Sequence, residues 1–198
     1  EDVLQSRDPS NKLLKEIGAP IPITSSLVKL PFHMGSMDKT KEISGIEKWI
    51  SKQSGDVNEF VITPKIDGTS ALIYIDIQNN QINVYTRGNG TEGKLINFVS
   101  EIFISDEIKM NLKKYRNSEL DKSMVFVCRG EMIVNKTKFE KFTKIFKSPR
   151  SMVNGLTNKK DSDKIKDHLS ALDFILFEVI EPKLKPSSQF DLAKKLGF

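Results

Sequence analysis

EFVITPKIDGTSALIYIDIQNNQINVYTRGNGTEG, residues 59–93, is the stretch whose reading decides the fold. Apolar and β-branched residues recur in it at every second position, so EFVIT (59–63), SALIYIDIQ (70–78) and QINVYT (81–86) are expected to be strands. Asn79 and Asn80 tolerate the positive φ of a tight hairpin turn, which joins the second and third strands antiparallel. Between the first two lies Lys65-Ile66-Asp67-Gly68, a lysine held where a strand runs into a turn. The period of two marks the start of a mixed sheet.

Outward from this stretch, MVFVCRGEMIV (124–134) and LDFILFEVI (172–180) read as further strands, the second apolar enough for the middle of a sheet. Ile43, Ile46, Trp49 and Ile50 fall on one helical face, which predicts an amphipathic helix over 41–53 that stops at Gly55. Helices are also expected over 92–103, over 136–146, where Phe139, Phe142 and Phe146 repeat at helical spacing, and over 188–198. LVKLPFHMGSMDK (27–39) reads as irregular and 104–123 as a polar, Lys-rich stretch. SPRSMVNGLTNKKDSD (148–163) reads as a loop with one helical turn. A helix over 1–18 and an extended linker at APIPIT, where Pro20 and Pro22 exclude helix from the residues before them, would form a segment 1–24 ahead of one folded unit, 25–198.

With 198 residues the chain can bury one sizeable core. A hydrophobic content of 38%, twelve Phe and a mean hydropathy of −0.34 suit a soluble globular protein. No apolar run approaches the roughly 20 residues of a spanning helix, and EDVLQSRDPS is no secretory leader. Cys128 is the single cysteine, which excludes a disulfide framework and a cysteine-rich zinc site and points to an intracellular, reducing compartment. Net charge is +5, and residues 109–166 hold sixteen Lys or Arg against six Asp or Glu. Such a one-sided field suits a nucleic-acid surface, although on charge alone Lys-rich solvated helix faces are the simpler account.

Three motifs carry chemistry. An amine at a strand end is held rigidly, which suits Lys65 as a nucleophile, provided cationic or metal neighbours release a proton that lysine normally keeps up to pH about 10.4. Asp67 is close enough to orient it, and Gly68 turns the backbone without a Cβ. The glycine-rich loop Thr86-Arg87-Gly88-Asn89-Gly90-Thr91-Glu92-Gly93 offers backbone N–H groups and a guanidinium to phosphate or ribose. In Arg129-Gly130-Glu131 a glycine interrupts a strand, which marks a close approach of ligand or backbone.

In this order the motifs resemble the NAD-dependent DNA ligases, in their adenylation (nucleotidyltransferase) domain. MGSMDK, TPKIDG, TRGNGTEG, VCRGEMIVNKTKFEKF, SPRSMVNG, LDFILFEVI and KLGF carry the resemblance across nearly the whole chain. It implies an α+β, ATP-grasp-like nucleotidyltransferase fold of mixed, mainly antiparallel sheets flanked by helices. It implies that Lys65 becomes AMP-lysine with Asp67 in support, and that Arg87 and Glu131 bind the ribose side of the nucleotide. Arg150 would hold the adenylate or a nucleic-acid phosphate, Ser36 and Met37 would line the adenine edge, and Phe177 would stack on adenine. A Phe in a central strand also serves as plain core, and His33, beside Ser36, reads as a satisfied loop histidine. The implied cofactors are NAD and Mg2+, the latter held mainly by phosphates and water. The implied partner is nicked duplex DNA in replication and repair, acted on by a monomer without membrane attachment.

Thr63, Asn89 and Asn158 stand where the family has Glu, Asp and Arg, which points to a divergent, viral member and a viral factory as its site. The resemblance also makes the chain a fragment, with pocket-completing strands expected after KLGF. An ATP-dependent DNA or RNA ligase domain carries the same lysine chemistry, and a nucleic-acid-binding module without turnover carries the same motifs.

Overall fold

A hairpin turn is the simplest element to derive. In the computed structural model, which describes residues 7–8, 27–36, 39–53, 60–118, 125–158 and 166–198, Asn80 takes the left-handed φ of 54° between two strands. The Asp76 carboxylate accepts from the Asn79 backbone N–H at 2.9 Å and from its side-chain amide at 2.8 Å. Those bonds hold the Asp76 carboxyl below its ordinary pKa.

The elements in chain order are β1 (Leu27–Lys29), α1 (Ile43–Ser51), β2 (Thr69–Asp76), β3 (Gln81–Thr86), β4 (Glu92–Lys94), α2 (Ser100–Phe103), α3 (Asp106–Ser118), β5 (Val125–Ile133), α4 (Lys136–Phe139), α5 (Pro149–Asn158), α6 (Lys166–Leu169), β6 (Asp173–Glu181) and α7 (Pro186–Leu196). Four strands form an antiparallel sheet in the order β3-β2-β5-β6, and β1 pairs with β4 in a separate two-stranded ribbon. This is the mixed helix and antiparallel sheet of the expected α+β class.

Strand alternation divides the sheet into two faces. Ala71, Ile73, Ile75, Val84, Phe126, Cys128 and Met132 face a main core completed by Ile108, Leu112, Met152, Leu156, Leu192 and Leu196 of the helices. Burying each large side chain contributes about 1.5–3 kcal/mol. On the opposite face, Leu30, Met34, Leu72 and Val127 form a smaller cluster with Tyr74 and Tyr85 around it. No helix among the described residues is long and apolar enough to cross a membrane.

Several expectations are corrected. Residues 60–67 form no strand, although EFVIT alternates well. β2 already has β3 and β5 on its two sides, and a strand without a ladder partner gains nothing for its backbone groups. The helix expected over 92–103 is split into β4, a 3₁₀ turn at Asn97–Val99 and the short α2. Gly93 explains part of this: a Cβ there would strike the Thr86 carbonyl, so the segment lies extended against β3 and recruits 27–29, read as irregular, as its partner. The Lys-rich stretch holds α3, which buries Ile108 and Leu112 and ties its Asn111 amide to the Leu196 carbonyl at 3.2 Å.

Residues 149–158 form a ten-residue helix where a loop was expected. Ser148 caps it, since its Oγ accepts from the Ser151 N–H at 3.1 Å and the Ser151 Oγ accepts from the Ser148 N–H at 2.9 Å, with Pro149 in the first helical position. The helix expected over 136–146 shortens to α4 and a 3₁₀ turn at Glu140–Phe142, and α6 was not foreseen. α1 forms as expected but buries none of its residues, and its Trp49 ring meets Phe60 at 5.6 Å between ring centroids. The helix over 1–18 and the linker over 19–24 lie outside the described residues, apart from Arg7 and Asp8.

Gly130 answers the expectation of a close approach. A Cβ there would collide with the Phe174 ring and lie 2.5 Å from the Ile175 carbonyl oxygen, so the neighbouring strand is what comes close. Gly130→Ala should therefore destabilise the fold by about 1–3 kcal/mol through overpacking, read as a lower urea midpoint at unchanged slope. An unchanged midpoint would show that the contact relaxes freely.

Candidate active site

The site is assembled at the end of the sheet where β2 begins. Gly68 lies so close to β5 that a Cβ would run into the Met132 carbonyl, and this close approach brings the segment carrying Lys65 and Asp67 alongside β5. In the β2–β5 register Ser70 stands opposite Glu131, and the Ser70 hydroxyl hydrogen-bonds the Glu131 carboxyl. Arg87 follows β3 directly, and its backbone N–H donates to the Ser70 carbonyl at 3.2 Å.

Glu131 is the electrostatic centre. Burial raises its pKa above the ordinary 4.5, opposed by the Ser70 hydrogen bond and by the charges of Lys65, Arg150 and Arg87. Its Oε2 is buried with no hydrogen-bond partner among the described residues. The charges of three cations thus act on one partly desolvated carboxyl that still has an acceptor to offer.

Arg150 arrives from the first turn of α5, and its Nη1 donates to Asp67 Oδ1 at 2.9 Å. The two side chains are 61% and 79% exposed, so solvent screening limits the pair to about 0–1 kcal/mol. Asp67 therefore has Arg150 as an ion-pair partner. One turn further along α5, Asn154 Oδ1 accepts from Thr69 Oγ1 at 2.6 Å, which anchors the helix to the start of β2. At the end of α5, Asn158 Oδ1 accepts from Lys94 Nζ at 2.6 Å.

The glycine loop differs from expectation. The N–H groups of Asn89 and Gly90 donate to the carbonyls of Glu92 and Arg87 at 3.1 and 2.9 Å, while those of Thr91 and Glu92 donate to Asn89 Oδ1 at 3.0 and 2.8 Å. Those amides are consumed inside the loop, and Arg87 supplies what the loop offers an anion. Gly88 and Gly90, with φ of 54° and 96°, make the tight path possible.

Ser36 is exposed in a loop fastened to the glycine loop by the Met34 N–H, which donates to the Gly90 carbonyl at 2.8 Å. The His33 ring lies against Gly35 and Gly90 in the same place. Met37 lies outside the described residues. Phe177 is half-buried on β6, while its neighbours Phe174, Leu176 and Val179 join the main core. The structure thus gathers Lys65, Arg87, Arg150 and Glu131, with Ser36 and Phe177 on adjoining elements. Sequence reasoning missed Ser70, Asn154 and Lys94, because only the register and the α5 cap reveal them.

Among the described residues no three His, Cys, Asp or Glu side chains come together as a metal cage. Cys128 is buried in the core, and burial pushes its thiol pKa far upward, out of the reactive range.

Residues 26–198 match the family described as the NAD-dependent DNA ligase adenylation domain. A DNA ligase of Acanthamoeba polyphaga mimivirus is 37% identical over 197 residues, which cover 99% of this chain and 28% of that protein. A protein of Invertebrate iridescent virus 6 is 32% identical over 179 residues, with 87% and 26% covered. A DNA ligase of Borrelia hermsii is 28% identical over 186 residues, with 86% and 26% covered. The chain spans about a quarter of the length of these relatives.

The raised pKa of Glu131 has a pH signature. Because the folded value lies above the unfolded one, its contribution to stability is fully present below pH 4.5 and is lost as pH rises through the folded value. Glu131→Gln removes that loss, so urea melts should show the variant gaining stability relative to the parent from about pH 4 to pH 7. A stability difference that does not change with pH would contradict a desolvated carboxyl.

Proposed function

We propose, given that this chain belongs to the family of NAD-dependent DNA ligase adenylation domains, that Lys65 takes AMP from NAD as the first step in sealing nicks in duplex DNA. The observation that carries this reading is the gathering of Lys65, Arg87 and Arg150 around Glu131. Arg87 and Arg150, whose charges converge with that of Lys65 on Glu131, attract a diphosphate to the amine. The neutral amine then forms a P–N bond to the α-phosphorus. The bond from that phosphorus to the bridging oxygen breaks, nicotinamide mononucleotide leaves with the electron pair, and the amine gives its remaining excess proton to solvent.

Glu131 Oε2, buried and open, accepts from a ribose hydroxyl, with Arg87 on the same side. Phe177 supplies a stacking face for adenine, with Ser36 and Met37 at its edge. Arg150, oriented by Asp67, holds the adenylate. The AMP then passes to a 5′-phosphate at the nick, and a 3′-hydroxyl expels it. A divalent ion such as magnesium would be held by the diphosphate and water, since the described residues offer no cage for it. Transfer to DNA places the protein in replication and repair, acting as a monomer in a reducing compartment.

Lys65→Ala should abolish the AMP adduct that mass spectrometry finds on the parent after incubation with NAD. Its melting temperature should hold, because Lys65 is exposed. An adduct on the variant would reject the nucleophile, and an adduct on the parent from ATP and not from NAD would reverse the choice of donor.

The DNA-facing surface has its own test. Phe139, Phe142 and Phe146 pack against the core, while Lys141, Lys144 and Lys147 are exposed. Replacing the three lysines by Gln should lower the slope of log K against log salt for nicked duplex by about 0.9 for each phosphate they neutralise, with AMP-adduct formation intact. A slope equal to the parent's would make this segment an ordinary solvated face.

A further inference from the structure

Arg129 and Glu178 face each other in the β5–β6 register, and their side chains form an ion pair. The next rung joins Gly130 to Leu176, so the register steps over Phe177, which is the extra residue of a β-bulge. Opposite the bulge, the missing Cβ of Gly130 lets Phe174 and the Ile175 backbone close in. β6 is thus pressed toward β5 on one side of Phe177 and pinned to it by a charge pair on the other.

Arg129 lies two residues before Glu131 on the same strand and therefore on the same face of the sheet. The pair is partly withdrawn from water, with side chains 23% and 37% exposed, and two adjacent strands fix its geometry, so it constrains the backbone more than a loose surface pair does. Arg129 Nε and Glu131 Oε2 are both buried with no partner among the described residues. The open acceptor on Glu131, on the same face beside the bulge, suits a polar ligand better than packing.

We infer that the Arg129–Glu178 ion pair is a positioning device for nucleobase recognition: it locks the bulge that sets Phe177 out of the ladder and so holds the ring where a purine stacks. The inference rests on the reading of Phe177 as the adenine platform. It makes Arg129 and Glu178 positioning residues whose effect on the base exceeds their effect on the ribose phosphate.

The test titrates the full chain with AMP and with ribose 5-phosphate, below the melting temperature of every variant used. Arg129→Met and Glu178→Gln should each weaken AMP about tenfold, equivalent to about 1.4 kcal/mol, and leave ribose 5-phosphate unchanged. Phe177→Leu should reproduce the same selective loss, and Glu178→Gln should add nothing further on that background. Glu178→Asp, which keeps the charge, should restore most of the AMP affinity. Folded variants that bind AMP like the parent, or that lose both ligands in parallel, would overturn the positioning role alone. A parent that binds ribose 5-phosphate as tightly as AMP would overturn the platform reading, and this inference with it.

Discussion

The rung that sets Ser70 opposite Glu131 is the constraint on which the rest of the molecule depends. Side chains alternate across a sheet, so a slip of one residue between β2 and β5 would send Glu131 into the core and Met132 out to the site. With the observed register, Ala71, Ile73 and Ile75 join Cys128 and Met132 in the main core. The same register turns Ser70 and Glu131 toward the segment that carries Lys65. Packing on one face therefore enforces the polar geometry on the other.

Close backbone approach is the second condition, and three glycines provide it in different ways. Gly68 lets the Lys65 segment pass against β5, Gly93 lets β4 lie against β3, and Gly130 lets β6 press on β5. In each case a backbone carbonyl of the adjoining strand is what comes close, that of Met132, Thr86 or Ile175. The glycine loop follows the same logic, since its amides close upon Asn89 and upon the loop's own carbonyls. The positive charge at the site comes instead from side-chain cations, Lys65, Arg87 and Arg150, which the fold draws from separate segments.

Arg150 shows how a local signal serves the site. The reciprocal Ser148–Ser151 cap starts α5 at Pro149, and Asn154 ties the helix to Thr69, so Arg150 projects beside Asp67. The four charged groups Lys65, Arg87, Arg150 and Glu131 come from a pre-strand segment, a strand end, a helix start and a strand interior. Their influence is felt at Glu131, whose Oε2 is buried, because a desolvated carboxyl is sensitive to neighbouring charge.

Sequence alone determined whatever depends on neighbours along the chain. The hairpin at Asn79–Asn80, the strands at 125–133 and 173–181, the C-terminal helix and the ordered set of motifs were legible, because period and turn chemistry are local. The α5 cap is equally local in Ser148, Pro149 and Ser151, residue types that also mark loops. Tertiary structure decided what needs a partner. Among the described residues, 60–63 have the pattern of a strand and no ladder partner, and the apolar face of α1 has the right spacing and no core against it. Glu92–Lys94 turned from helix to strand because β1 was there to pair with it. The site itself belongs to this second class: Ser70, Asn154 and Glu178 gain their meaning from register and packing, which bring together residues far apart in the chain and which no periodicity along it encodes.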